Sequence, residues 1–161
     1  MLHKRDIEFD VEAIREAIRN SSKETAIYIG CDSKVYSDKG TKYIAFATVV
    51  IVHKDGRHGA EIFKSISTGH KMEMRQRLMK EVELAIDIGY KLIDDIGDRP
   101  FQVHLDVNPN PRYASNAVVK EATGYVLGVF GIKPVLKPDA WASSSVSDRW
   151  AVKEAKKRMN K

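Results

Sequence analysis

The sequence predicts an α/β fold: a mixed five-stranded sheet in the order β-β-β-α-β-α-β-α, with helices on its faces and one more helix in front. Three observations predict it. Apolar residues alternate or run unbroken over short stretches in the first half of the chain, take up a helical period near residue 72, and from there extended and helical stretches take turns. Turn-forming residues separate the first three stretches, as in an antiparallel meander. The 161 residues are enough for one hydrophobic core and too few for two. The expectation is therefore one domain over residues 1–161, with an N-terminal accessory helix in 1–24 and the core in 25–161.

Asp10 followed by Val11, Ile14, Ala17 and Ile18 marks a capped amphipathic helix that fades at Asn20-Ser21-Ser22. Ala26 to Cys31 reads as a buried strand ending directly at Asp32. Ser37-Asp38-Lys39-Gly40 supplies a turn, and Lys42 to Val52 is apolar on both parities, as a strand covered on both faces should be. After a second turn at Asp55-Gly56, Glu61 to Thr68 alternates weakly and predicts an edge strand. Met72 to Ile96 repeats as a long helix, with Met74, Leu78, Val82, Ala85, Ile86 and Leu92 or Ile93 on one side. Phe101, Val103, Leu105 and Val107 alternate with Gln102, His104 and Asp106 in a fourth strand that Asn108-Pro109-Asn110-Pro111 stops. Val118 to Val129 predicts a helix closed by Gly131, Ile132 to Leu136 a short fifth strand, and about Val146 to Met159 a final basic helix after Ser143-Ser144-Ser145.

This order is that of the ribonuclease H topology, in which the first and fourth strands are neighbours. Asp32 and Asp106 then fall at adjacent strand ends, where open α/β sheets build their sites. Two carboxylates held close repel unless a cation or a shared proton neutralises them. Asp148 lies in the first predicted turn of the last helix, where the fold brings a further carboxylate beside the first strand. Ser145-x-x-Asp148 also reads as a capping box, which explains the residue without catalysis. For an acid from the long helix, Glu81 is preferred over Glu73 and Glu83. It borders the buried stripe of Leu78, Val82, Ala85 and Ile86, whereas Glu73 has Arg77 at +4 and Glu83 lies on the solvent side. Four oxygen donors without a Cys or His set suit two Mg²⁺ or Mn²⁺ ions rather than zinc.

Several segments carry a family likeness: Tyr28-Ile29-Gly30-Cys31-Asp32-Ser33, Arg77 to Val82, His104-Leu105-Asp106-Val107-Asn108-Pro109, Val119 to Tyr125, and Lys137-Pro138-Asp139 through Ser144 to Asp148-Arg149. Over roughly residues 26–152 the chain resembles the YkuK-type family of ribonuclease H-like proteins. The resemblance implies that fold and a nuclease centre, and it puts Ser33, Lys137 and Asp139 at the rim of the site as substrate-binding candidates.

Other classes fall away. Apolar residues make up 43% and charged residues 30%, the balance of a soluble globular protein. The longest apolar stretch, Ile44 to Val52, is about half of a membrane span. The mixed charges of the N-terminus do not make a signal peptide, so a cytoplasmic location without membrane contact is expected. The lone Cys31 has no disulfide or C-x-x-C partner. His53, His58, His70 and His104 have no zinc spacing, and no nucleotide-binding or serine-hydrolase motif occurs. Residues 149–161 hold six basic side chains against one acid, which suits a polyanion or makes a solvated helix face. Trp141 and Trp150 flank Asp148 and read first as packing, second as base-stacking groups. The expectation is a two-metal endonuclease acting on an RNA/DNA hybrid or structured nucleic acid. A non-catalytic nucleic-acid-binding module is the rival reading.

Overall fold

The computed structural model describes residues 6–56, 59–110, 112, 116 and 118–159; His58 lies outside them. Helix α1 (Val11–Arg19) opens the chain, with the Asp10 side chain accepting from the Ala13 N–H at 3.1 Å. Ile14 and Ile18 on its inner side are fully buried in the main core, and Arg15 and Arg19 reach Asp95 on the neighbouring helix at 3.3 and 2.7 Å.

The three-strand meander follows as β1 (Ala26–Asp38), β2 (Thr41–His53) and β3 (Ala60–His70). Asp38 pairs with Thr41 across a two-residue loop, and Lys39 and Gly40 both have positive φ. These are the marks of a type I′ hairpin, whose twist matches that of the strands. A 3₁₀ turn at Lys54–Gly56 leads into β3. Helix α2 (Met74–Ile96), β4 (Phe101–His104), α3 (Val119–Phe130) and α4 (Asp148–Met159) complete the order. The sheet runs β3-β2-β1-β4; β4 is parallel to β1 and the other pairs are antiparallel.

Successive side chains on a strand point to opposite faces. On one face Ile27 and Ile29 of β1 pack with Val82, Ala85 and Ile86 of α2, in the same core as α1 and α3. On the other face lie α4 and the stretch before it: Val49 and Ile51 meet Ala142, Ala47 and Ile66 meet Ala151, and Tyr36 and Ala45 meet Ala155. No helix of the described residues is long and apolar enough to cross a membrane.

Four details differ from the sequence expectation. The fifth strand is one parallel bridge, His104 with Val135, in which the Leu105 N–H donates to the Val135 carbonyl at 2.9 Å and the Val135 N–H to the Val103 carbonyl at 2.8 Å. The Lys137 N–H, two residues on, reaches past the Leu105 carbonyl to that of Val107 at 3.1 Å, out of the regular parallel register, so no second bridge follows. Strand β1 does not end at Asp32 but runs six residues further, to Asp38, because β2 continues to pair with it. Only its ladder with β4 stops short, at Gly30 with His104. Strand β4 is correspondingly shorter than predicted, so Asp106 lies just beyond it. The last helix starts earlier than predicted. A π-helical stretch, Ala142–Ser147, runs directly into α4, so Asp148, although it opens α4 and lies in its first turn, follows helical residues rather than a loop, and Ser145 caps no helix. Ser143 and Ser147 instead bond carbonyls of their own segment, Ala140 at 3.0 Å and Ala142 at 2.8 Å.

Candidate metal centre

Gly30 and His104 are the last β1–β4 pair. Counting two residues on along each strand puts Asp32 level with Asp106, both on the α4 face of the sheet. Glu81 comes from α2 on the opposite face, and its carboxylate meets the two aspartates past the end of β4. One oxygen from each of Asp32, Glu81 and Asp106 lies within 4.8 Å of the others. Asp32 and Glu81 are buried, at 6% and 5% exposure.

Each carboxylate has a defined partner. The Ser33 hydroxyl donates to Glu81 Oε2 at 2.6 Å. Arg77 donates to the Ser33 hydroxyl and to its carbonyl, each at 2.6 Å, with its guanidinium 4.0 Å from Glu81. Glu81 Oε2 is thus fixed while Oε1 is buried with no hydrogen-bond partner. Lys137 Nζ lies 2.8 Å from Asp106. Asp148, on α4, is outside the group of three, but it shares a hydrogen bond with Asp32 and an ion pair of 3.1 Å with Lys34.

Burial, reinforced by the hydrogen bond to Asp148 and by the charges of Glu81 and Asp106, pushes the Asp32 carboxyl up to about 9. Burial likewise pushes Glu81 up to about 8, against the opposing hydrogen bond from Ser33. Asp148 moves the other way: the hydrogen bond from Asp32, and after it Lys34, hold its carboxyl below the ordinary range. The two shifts are opposite because Asp32 donates the hydrogen bond between the two carboxyl groups and Asp148 accepts it. An unpaired buried oxygen costs free energy, and crowded carboxylates retain protons only while no cation replaces them. The three oxygen donors, with Glu81 Oε1 lacking any other partner, fit a hard divalent cation such as Mg²⁺ or Mn²⁺.

The seating of α4 depends on two residues that the sequence reading did not assign to the site. A Cβ at Gly30 would lie 2.6 Å from the Ala142 carbonyl carbon and the Ser143 nitrogen, so only glycine lets the π-helical stretch touch β1. His104 is fully buried and its Nδ1 accepts from the Ala142 N–H at 3.1 Å. Its Nε2 must then carry the hydrogen that meets Gln102 Oε1 at 2.8 Å. Burial lowers its pKa to about 4, which keeps the ring neutral as a structural link. Trp141 packs tilted on Tyr28 and edge-on to His104, with 40% of it still exposed.

Of the other residues singled out in the sequence, Ser33 supports Glu81 and Lys137 pairs with Asp106, while Asp139 is exposed and outside the acidic group. Glu73 is the exposed N-cap of α2, its backbone N–H meeting Gln76 Oε1 at 3.4 Å. Arg77 and Lys34 were not proposed for the site. The i,i+4 spacing of Arg77 to Glu81 and the i,i+2 spacing of Asp32 to Lys34 were the signals that pointed to them.

A family model described as Ribonuclease H-like matches residues 10–152, a span that includes α1 and all four acids. No curated protein and no solved structure matches the chain.

Proposed function

We infer that this chain, which belongs to the ribonuclease H-like family, is a metal-dependent nuclease whose ligands are Asp32, Glu81 and Asp106, with Asp148 as a fourth from α4. The convergence of three carboxylates from three different elements within 4.8 Å, one of their oxygens buried without a partner, carries the reading. Two bound Mg²⁺ or Mn²⁺ ions would supply an activated water and charge stabilisation for the leaving oxygen of a phosphodiester.

The chain's own residues hold and balance that site. Ser33 and Arg77 orient Glu81 so that its second oxygen faces the aspartates. Lys34 holds Asp148 beside Asp32. Lys137 offsets part of the negative charge next to Asp106 and, being 38% exposed at its side chain, is placed to meet a substrate phosphate. The aspartates act as ligands rather than general bases. The substrate this reading favours is RNA in a hybrid with DNA, or a structured nucleic acid, cut internally.

The test is incubation of the pure protein with labelled RNA/DNA hybrid, double-stranded RNA and branched DNA, in Mn²⁺ and in EDTA. Metal-dependent cleavage that Asp32→Asn and Asp106→Asn each abolish is the expected result. Binding without cleavage on every substrate, by parent and variants alike, would overturn the nuclease and leave a binding module.

A further inference from the structure

Beyond the acidic centre, a group of basic side chains lies across α4 from it. Trp150, Lys153 and Lys157 are spaced i, i+3 and i+7, so they share one side of the helix. Asp148 precedes Trp150 by two positions and lies on the opposite flank, toward β1. A fourth residue joins this side from another element. Lys64 of the edge strand β3 places its ammonium 3.4 Å from the centre of the Trp150 ring, and Lys153 lies 4.9 Å from the same ring.

Among the described residues none of these three lysines is in an ion pair. The one acid of α4 near them, Glu154, is buried and turned to Arg158 at 3.6 Å. The fold thus gathers lysines from two elements onto one aromatic side chain instead of dispersing them. Burial first, then the charges of Lys153 and, to a smaller extent, Lys157, lower the pKa of Lys64 against the opposing charge of Glu154. Like charges brought together in this way are relieved by a polyanion. The ring is covered by Lys64, so it anchors ammonium groups and offers no open face for a base to stack on.

We propose that Lys64 and Lys153, held over Trp150 at the β3–α4 edge, together with Lys157 on the same side of α4, form a docking surface for the phosphate backbone of the nucleic acid whose cleavage is proposed above. The surface is separate from the cleavage centre by about one helix diameter, roughly 10 Å. It meets phosphates, so it binds without reading sequence and sets the position of the strand rather than the chemistry. This inference rests on the nucleic-acid reading of the chain but not on turnover.

The experiment is fluorescence anisotropy of a labelled RNA/DNA hybrid and its component strands in EDTA, where no metal-dependent cleavage occurs. Lys64→Gln/Lys153→Gln/Lys157→Gln should weaken binding about tenfold or more. It should also flatten the slope of log affinity against log salt by about two to three, near 0.9 for each phosphate that the variant no longer neutralises. A control with three exposed lysines elsewhere, Lys23→Gln/Lys71→Gln/Lys120→Gln, carries the same net charge and should bind far more tightly than the first variant. Equal weakening in the two triple variants, or an unchanged slope in the first, would overturn the docking surface. So would lysine-dependent binding to phosphatidylserine vesicles with no binding of nucleic acid. Circular dichroism of both variants separates a folding defect from weakened docking. Absence of cleavage in the Mn²⁺ assay would count against the nuclease alone and leave this result standing.

Discussion

Helices α2 and α4 bring acids to the same strand and hold them in opposite ways. Glu81 of α2 is buried, hydrogen-bonded to Ser33, and backed by an arginine that grips the Ser33 carbonyl. Asp148 of α4 is 36% exposed at its side chain and is held by Lys34, itself 43% exposed. The α2 acid is preorganised by short bonds within the core. The α4 acid depends on how its helix sits against the sheet, a seating that rests on Gly30 and on the His104 link to Ala142. One wall of the centre is thus fixed by bonds to the acid itself, and the other by the packing of its helix against the sheet.

The sharpest way to break this contrast is to neutralise the two acids in turn. Glu81→Gln should lower metal-dependent cleavage by about 10²–10³-fold, the order seen when a preorganised charge-stabilising group is removed. Asp148→Asn should cost about tenfold. Single-turnover rates across a Mn²⁺ titration, with metal affinity read separately by calorimetry, check both; equal reductions would show that the two walls are equivalent.

A smaller effect is expected from Gly30→Ala. The added Cβ meets backbone atoms that have no side-chain freedom to move aside, so overpacking should destabilise the fold by about 1–3 kcal/mol. Thermal unfolding measures the change. If the contrast is right, the variant that remains folded should resemble Asp148→Asn in cleavage rather than Glu81→Gln, because only α4 is displaced. A Gly30→Ala protein of unchanged stability would remove the close approach as the device that seats α4.

The last test is a pH dependence in the metal-free protein. Asp32 and Glu81 have folded pKa values of about 9 and 8, above their ordinary values. Between those ordinary values and about 8–9 the folded state holds more protons than the unfolded one, so stability falls as pH rises. Their contribution is full below about pH 4 and is lost as pH passes through 8 to 9. Asp148, shifted downward, contributes with the opposite sign at low pH, and its exposure makes that part slight. Melting temperatures from pH 5 to 9 should fall more steeply for the parent than for Glu81→Gln, and Mn²⁺ should reduce the fall. Parallel profiles for the two proteins would refute the raised pKa of Glu81.

Much of this was legible in the chain because it is local. Period-two and period-3.6 patterns placed α1, β2, β3, α2, β4 and α3 within a few residues, and the start of β1. Lys39-Gly40 announced its turn, and the buried stripe of α2 singled out Glu81, the helix acid that joins the aspartates. The misplaced boundaries have a common cause. Strand β1 outruns Asp32 because β2 keeps pairing with it, and the last helix begins before its serines because Gly30 and His104 give the segment a sheet to rest on. The serine run looked like a loop or a cap when read alone, yet packing turned it into π-helix.

The sequence by itself therefore determined the order and kind of the elements and the acids available at their ends, since propensity, periodicity and turn chemistry act within a few residues of one another. The tertiary structure alone decided which charges meet. It set Arg77 on Ser33, Lys137 on Asp106, Asp148 on Asp32, and Lys64 over Trp150. Coulombic and hydrogen-bonded interactions act over a few ångströms, so they depend on the approach of segments distant in the chain, which no local pattern records.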